Sequence, residues 1–295
     1  MFLRKQSLQG KKIFITGAGS GIGKMTAKAL AATGAELFLA DIDLDSLKEV
    51  SRECQYIAIA HIRATRVHWA RCDVVDAAQV KKVVDKAVGA MGGLDIVFAN
   101  AGIGDLVGFE GDSHVFDRIL GINTTGVLNT IESCSAHIRA SKGYVMVNAS
   151  MGGIVVLPLM GGGYSPSKAA ASTLGQALNL HFIGTGARCG VLLLAEHNTP
   201  LEQKFEDPVV KQLMRDNLRL KKSHKKRDPM KAVQAIIRGM EHRSLYVHAP
   251  RYTVLARYFP AIVNLFVRTY LVQNPQPALE MLRARNAAQL EERQK

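Results

Sequence analysis

Six short apolar runs punctuate the first two hundred residues, with helical stretches between them. The runs are KIFIT at 12–16, ELFLAD at 36–41, RVHWARC at 66–72, LDIVFAN at 94–100, GYVMVNAS at 143–150 and CGVLLLA at 189–195. The stretches 22–33, 77–91, 116–140 and 167–182 read as helices. A strand that is apolar nearly throughout has no solvent face, so its sheet must be covered on both sides. Helices alternating with such strands supply that cover, which predicts an α/β fold with a doubly wound parallel sheet. The 295 residues, 47% of them hydrophobic, suit one large domain.

The turn between the first strand and the first helix is Gly17-Ala18-Gly19-Ser20-Gly21-Ile22-Gly23. Backbone N–H groups and the positive end of a helix macrodipole can hold a phosphate there. A Walker loop is excluded, because Ala18 stands where glycine is needed and Met25 follows Lys24. The GxGxxG spacing also fails, since its last position falls on Ile22; the pattern that fits is Thr-Gly-x-x-x-Gly-x-Gly. Asp41 ends the second strand, where a carboxylate accepts hydrogen bonds from adenosine ribose hydroxyls and repels a 2′-phosphate. No Lys or Arg stands in ADIDLD or inside the glycine loop, so NAD is expected over NADP.

GGGYSPSKAA, at 161–170, places Tyr164 and Lys168 one helical turn apart. Such a spacing serves an exposed side-chain pair or an acid–base device. Pro166 suits the first turn of a helix, so Tyr164 is expected at its mouth. A free phenol has a pKa of about 10 and is a poor base near neutrality unless positive charge favours the phenolate. Lys168 is placed to supply that charge.

Six motifs occur in order at the ends of the expected strands: Thr16–Gly23, Cys72-Asp73-Val74, Asn100-Ala101-Gly102, Asn123 in GINTTG, Ser150, and Tyr164-x-x-x-Lys168. In these motifs, over about residues 8 to 200, the chain resembles the short-chain dehydrogenase/reductase family. The resemblance implies a Rossmann-type dehydrogenase domain over 1–250 and a helical extension over 251–295. It implies that Tyr164 exchanges a proton with a substrate hydroxyl while hydride passes to or from the nicotinamide ring. Ser150 would hold the substrate oxygen, Lys168 the nicotinamide ribose, and Asn123 a proton-relaying water. The cofactor would be held by Gly17, Gly19, Ser20, Gly21, Ile22, Gly23 and Asp41, by Asp73 and Val74 beside the adenine, by Asn100, Ala101 and Gly102, by Tyr164 and Lys168, and by Thr199. Asn100 reads more as a brace of the sheet than as a substrate contact. No metal is required, and no histidine pair has ligand spacing.

Two departures from the family pattern stand out. Ser150 and Tyr164 are one residue further apart than is usual, the extra residue falling in LPLMGGGY. After the sixth strand, Ala195-Glu196 replaces Pro-Gly, and the approach to Thr199 is shorter. Glycine lets a backbone approach a ligand closely and glutamate does not. The alternative expectation is therefore a catalytically weakened nucleotide-binding member with a binding or membrane-surface role.

The four cysteines, Cys54, Cys72, Cys134 and Cys189, lie far apart without a CxxC pair, which predicts reduced thiols and a cytoplasmic protein. The N-terminal residues lack the apolar core of a secretory signal, and the Asn123 and Asn148 sequons fall inside motifs already assigned. Net charge is +13, with six Lys or Arg in RLKKSHKKRD (219–228), but no nucleic-acid-binding signature accompanies them. The stretch 253–272 is too interrupted by Arg257, Pro260, Asn264 and Arg268 to span a bilayer and is expected as one amphipathic helix. It could pack on the domain, close over the site, join a homo-oligomer, or make a peripheral membrane contact through residues 250–275. The tail 276–295 is expected as an exposed charged helix. The apolar run at 154–160 and the aromatic C-terminal segment point to a lipophilic secondary alcohol or ketone, such as a steroid, retinoid or fatty-acyl derivative.

Overall fold

Alternate residues of each central strand face opposite layers, and both layers are apolar. The computed structural model describes residues 5–63, 65–105, 113–156, 162–195, 227–271 and 280. Strands β1 (Lys12–Thr16), β2 (Glu36–Asp41), β3 (Val67–Arg71), β4 (Ile96–Ala99), β5 (Tyr144–Asn148), β6 (Arg188–Leu194) and β7 (Tyr246–Ala249) form one sheet, all pairs parallel, in the order β3-β2-β1-β4-β5-β6-β7. Ile13, Ile15, Leu37 and Leu39 pack under α1 (Gly21–Ala31), α2 (Leu44–Ala60) and a later helix at Pro229–His242. Phe14, Phe38, Val97 and Val145 pack on the other face against α3 (Ala77–Met91) and the helices at Gly126–Ala140 and Tyr164–His181. Each fully buried Ile, Leu or Phe contributes about 1.5–3 kcal/mol, so this two-sided cover dominates the stability of the sheet. The doubly wound expectation holds.

Side-chain caps set several helix starts. Asp43 accepts from the backbone N–H groups of Asp45 and Ser46, Asp76 from that of Gln79, and Asp228 from that of Met230. Such caps are worth about 1 kcal/mol each. All four cysteines are buried and unpaired, and burial pushes the Cys54 and Cys72 thiols up to about 12.

Three expectations need correction. The single helix over 116–140 is instead α4 (Ser113–Leu120), a π-helical turn (Gly121–Thr125) and α5 (Gly126–Ala140). The register break has a local setting: a Cβ on Gly126 would lie 2.5 Å from Val74 Cγ2, so the helix touches the β3 loop at a residue with no side chain. Second, β7 was absent from the six predicted runs, being four residues long and half-exposed at alternate positions.

Third, the helix over 253–272 is broken. After α6 (Tyr164–His181) and α7 (Pro229–His242), the chain forms α8 (Thr253–Tyr258), α9 (Pro260–Phe266) and a π-helical turn (Val267–Leu271). Pro260 has no N–H to donate and forces Phe259 out of helical geometry, to φ −129° and ψ 52°. Of the arrangements left open, packing of the apolar side on the domain is not the one formed. Thr253, Ala256 and Val267 are buried, whereas Leu255, Tyr258, Phe259, Ile262 and Phe266 are exposed. Arg257, on the polar side of the stretch, lies over the Tyr246 ring at 3.1 Å. The basic run up to Lys226, Thr199, and the 276–295 tail apart from Glu280 lie outside the described residues.

Candidate active site

Strand order reverses between β1 and β4, and ligands of open α/β sheets bind at the carboxyl ends of strands beside such a switch. The glycine loop occupies that place. Gly17 has φ +65°, and a Cβ on it would stand 2.7 Å from Ala101 Cα. A Cβ on Gly23 would meet the Gly17 carbonyl oxygen at 2.0 Å, so the first turn of α1 closes on the loop only with glycine there. Ser20 caps α1 without a side-chain hydrogen bond, and the first turn of α1 carries no acidic residue. The first turn of α1 thus brings no negative side chain of its own to the loop, which suits a pyrophosphate at this helix N-terminus.

Asp41 meets this loop directly. One carboxylate oxygen accepts from Gly19 N–H at 2.8 Å and the other from Asp43 N–H at 3.1 Å. Asp73, at the end of β3, accepts from Val75 N–H at 3.0 Å, and its own N–H donates to Gln79. Val74 is buried, and its carbonyl accepts from Asn129 Nδ2 at 2.9 Å. Asn100 braces the sheet: its amide donates to the Thr16 and Gly17 carbonyls at 3.0 Å and its oxygen accepts from Asn148 Nδ2 at 2.9 Å. Thr16 Oγ1 accepts from both Asn100 and Ala101 N–H.

Asn123 sits fully buried in the π-helical turn. Its oxygen accepts from Ile103 N–H at 2.8 Å; its amide donates to the Ile103 carbonyl at 2.9 Å and to Ser167 Oγ at 3.0 Å. Ser167 in turn donates to the Tyr164 carbonyl at 2.7 Å. Both amide hydrogens are committed, so a relay water would need the Asn123 backbone rather than its side-chain N–H groups.

Tyr164 is the first residue of α6, with Pro166 in the opening turn, as expected. Lys168 Nζ lies 5.9 Å from the centre of its ring and donates to the Asn148 carbonyl at 2.9 Å. Lys168 is buried, and desolvation lowers its pKa to about 8. A Cβ on Gly102 would be 3.1 Å from both Lys168 Nζ and Asn123 Oδ1, so the absence of a side chain keeps the space between them open. Gly152 does the same between Ser150 and Tyr164: its Cβ would lie 3.4 Å from Ser150 Oγ and 3.3 Å from Tyr164 Cε1. Ser150 caps the 3-10 turn Met151–Gly153, accepting from Gly152 N–H at 3.0 Å and donating to the Leu194 carbonyl at 3.1 Å. Its only hydrogen is therefore spent, and one lone pair remains.

A family model described as short chain dehydrogenase matches residues 11–209. The chain belongs to the short-chain dehydrogenase family. Within this family of oxidoreductases, it is 32% identical over 210 residues to the 2,5-dichloro-2,5-cyclohexadiene-1,4-diol dehydrogenase of Sphingobium indicum, covering 68% of this chain and 78% of the relative. It is 34% identical over 206 residues to the secoisolariciresinol dehydrogenase of Forsythia intermedia, covering 67% and 70%. Among solved structures, levodione reductase superposes with a TM-score of 0.73 at 25% identity, covering 84% of this chain and 99% of that one. A Burkholderia phymatum short-chain dehydrogenase/reductase in complex with NAD superposes with a TM-score of 0.72 at 24% identity, covering 88% and 93%, a likeness of fold.

The site of this short-chain dehydrogenase also uses residues that the motifs did not single out. Asn148 supplies the carbonyl that holds Lys168, and Ser167 links Asn123 to Tyr164. Both sit within or beside recognised motifs, but their partners lie 20 and 44 residues away in sequence, so only the fold reveals the contact.

Proposed function

We propose that the protein is an NAD-dependent oxidoreductase that interconverts a secondary alcohol and its ketone. The observation that carries this reading is the buried Lys168 ammonium beside the Tyr164 ring, with Ser150 across Gly152 and Asn123 across Gly102. A cation held there favours the phenolate form of Tyr164, which then takes the hydroxyl proton of an alcohol or returns it to a ketone oxygen. The alcohol's single hydrogen goes to Tyr164, so Ser150 holds the substrate oxygen only as a donor. To donate to a ketone oxygen it must release Leu194. Asn123 positions Tyr164 through Ser167 and fixes the 103 backbone opposite Lys168.

The glycine loop, Asp41 and Lys168 are the residues that would hold NAD. When bound, NAD supplies the hydride acceptor, or as NADH the donor, at its nicotinamide ring. Asp41 supports NAD over NADP, because a second negative group beside its carboxylate would be repelled. Of the residues invoked, all precede position 250, which supports treating 251–295 as an extension of a dehydrogenase domain.

For the substrate, a secondary alcohol borne on a ring is the class we favour. Two relatives are named for a 2,5-cyclohexadiene-1,4-diol and for cis-4-hydroxycyclohexanecarboxylate. Val155, just beyond Ser150, is buried among Ala256 and Val267, so the segment after Ser150 rests on an apolar cluster, which supports a lipophilic ring. A survey of NAD and NADP reduction with cyclic, steroidal, short-chain and sugar alcohols tests the reading. Turnover of cyclic or steroidal alcohols with NAD is expected; turnover confined to sugars, or to NADP, contradicts it.

A second reading, a nucleotide-binding member without turnover, draws on Ser150, whose hydrogen is engaged by Leu194. NAD binding without turnover of any alcohol in the same survey would favour it.

A further inference from the structure

The two helices after β7 present their apolar side chains outward. Positions 253, 256 and 267 turn inward but carry Thr, Ala and Val. Facing out at helical spacing are Leu255, Tyr258, Phe259, Ile262, Leu265 and Phe266, each more than half exposed. The orientation is fixed from beneath. Thr253 donates to the Pro250 carbonyl and pairs with His248 Nδ1 at 2.9 Å. Asn264 donates to the Ile154 carbonyl at 3.0 Å and accepts from Val156 N–H at 3.3 Å. Arg257 stacks inward on Tyr246. Rotating the helices to bury the aromatic face would break these contacts and strand Asn264 and Arg257, so the exposed face is the favoured arrangement.

The sequence that carries this face has charge of one sign. No Asp or Glu occurs from 242 to 279 in the sequence, while α8, α9 and their flanks carry Arg251, Arg257 and Arg268. Arg251 and Arg268 are exposed at the two ends of the helix pair. Arg227 lies 4.9 Å over the Tyr252 ring, where α8 begins, and the eight residues before Arg227 in sequence include five more Lys or Arg. An apolar, aromatic stripe bordered by cations, on a segment without Asp or Glu, complements an anionic lipid surface: rings and aliphatic chains enter the headgroup boundary and guanidinium groups meet phosphates.

We propose that α8 and α9 dock this protein on the surface of an anionic bilayer, with the stripe from Leu255 to Phe266 inserted and Arg251 and Arg268 among the headgroups. Asn264 and Val155 join this platform to the Ile154–Val156 segment just after Ser150. The docked face and the substrate side of the site are thereby one connected unit.

The test is co-sedimentation of the full chain with phosphatidylcholine vesicles, with and without phosphatidylglycerol, alongside light scattering of the protein alone. Ile262→Asp and the pair Arg251→Glu, Arg268→Glu are compared with the unaltered chain; all three positions are exposed, and thermal unfolding checks that the fold is kept. Binding to phosphatidylglycerol vesicles is expected to exceed that to phosphatidylcholine alone. Ile262→Asp should reduce it about tenfold or more by removing apolar insertion. The double arginine variant should reduce it about tenfold, and added salt should weaken it. The proposal is overturned if neither vesicle sediments the protein, or if Ile262→Asp leaves sedimentation unchanged. It is equally overturned if Ile262→Asp lowers the solution mass of a protein that never binds vesicles, since a second copy then covers the face.

Discussion

Lys168 Nζ stands 5.9 Å from the centre of the Tyr164 ring and is held by a 2.9 Å hydrogen bond to the Asn148 carbonyl at the end of β5. That bond orients the ammonium without neutralising it, because a carbonyl is a dipole and not a counter-charge. Among the described residues no carboxylate compensates this burial, and the lysine pKa falls to about 8.

This gives a pH signature in stability. Below about pH 8 the lysine is protonated in both folded and unfolded chains, and the folded state bears the desolvation cost. Between about 8 and 10.5 the folded chain has released the proton while the unfolded chain still holds it, so stability rises with pH. Lys168→Met should therefore raise the melting temperature at pH 7, the gain being on the order of 3 kcal/mol at most. That gain should shrink as pH rises through 8 toward 10.5. Thermal melts of both proteins across this range check it.

Asp41 accepts from Gly19 N–H, and on the proposed function it also meets the cofactor ribose. Asp41→Ala should weaken NAD binding about tenfold, the worth of one hydrogen bond to a charged group, and narrow the NAD to NADP ratio. Titration of both cofactors measures it; an unchanged ratio would remove Asp41 from cofactor selection.

Asn123→Ala removes three hydrogen bonds and leaves Ile103 and Ser167 groups unpaired in a buried turn. Stability should fall by about 3 kcal/mol. Urea unfolding reads the loss, and restored stability in Asn123→Asp is not expected, because a carboxylate cannot donate to Ser167 and Ile103.

Gly23→Ala tests the loop. With a Cβ placed 2.0 Å from the Gly17 oxygen and 2.6 Å from Asn100 Nδ2, the loop must shift, and NAD binding should be lost before the sheet unfolds. Isothermal titration beside circular dichroism separates the two.

Much of this was legible from residues alone, because the sheet's buried strands are continuous apolar runs and the glycine loop, Tyr164 and Lys168 keep local spacing. What was not legible depends on contacts distant in sequence. Ser150 looked free to hold a substrate oxygen, but its hydrogen goes to Leu194, 44 residues on. The helix expected over 253–272 had an apolar side whose partner was left open, and small residues beneath it and Asn264 bonded to Ile154 turn that side outward. Helical periodicity tells which residues share a face and not which face meets the core. β7 escaped notice because a four-residue edge strand carries too short a pattern.

The most direct measurement is NADH formation by Tyr164→Phe, with NADH binding followed in parallel, using an alcohol the unaltered enzyme turns over. Loss of the phenolic proton acceptor should slow turnover about a thousandfold, within the range for a positioned acid–base group, while NADH affinity stays within about twofold. Turnover by the phenylalanine variant within about threefold of the unaltered enzyme would contradict the account, since no such group would then be at work.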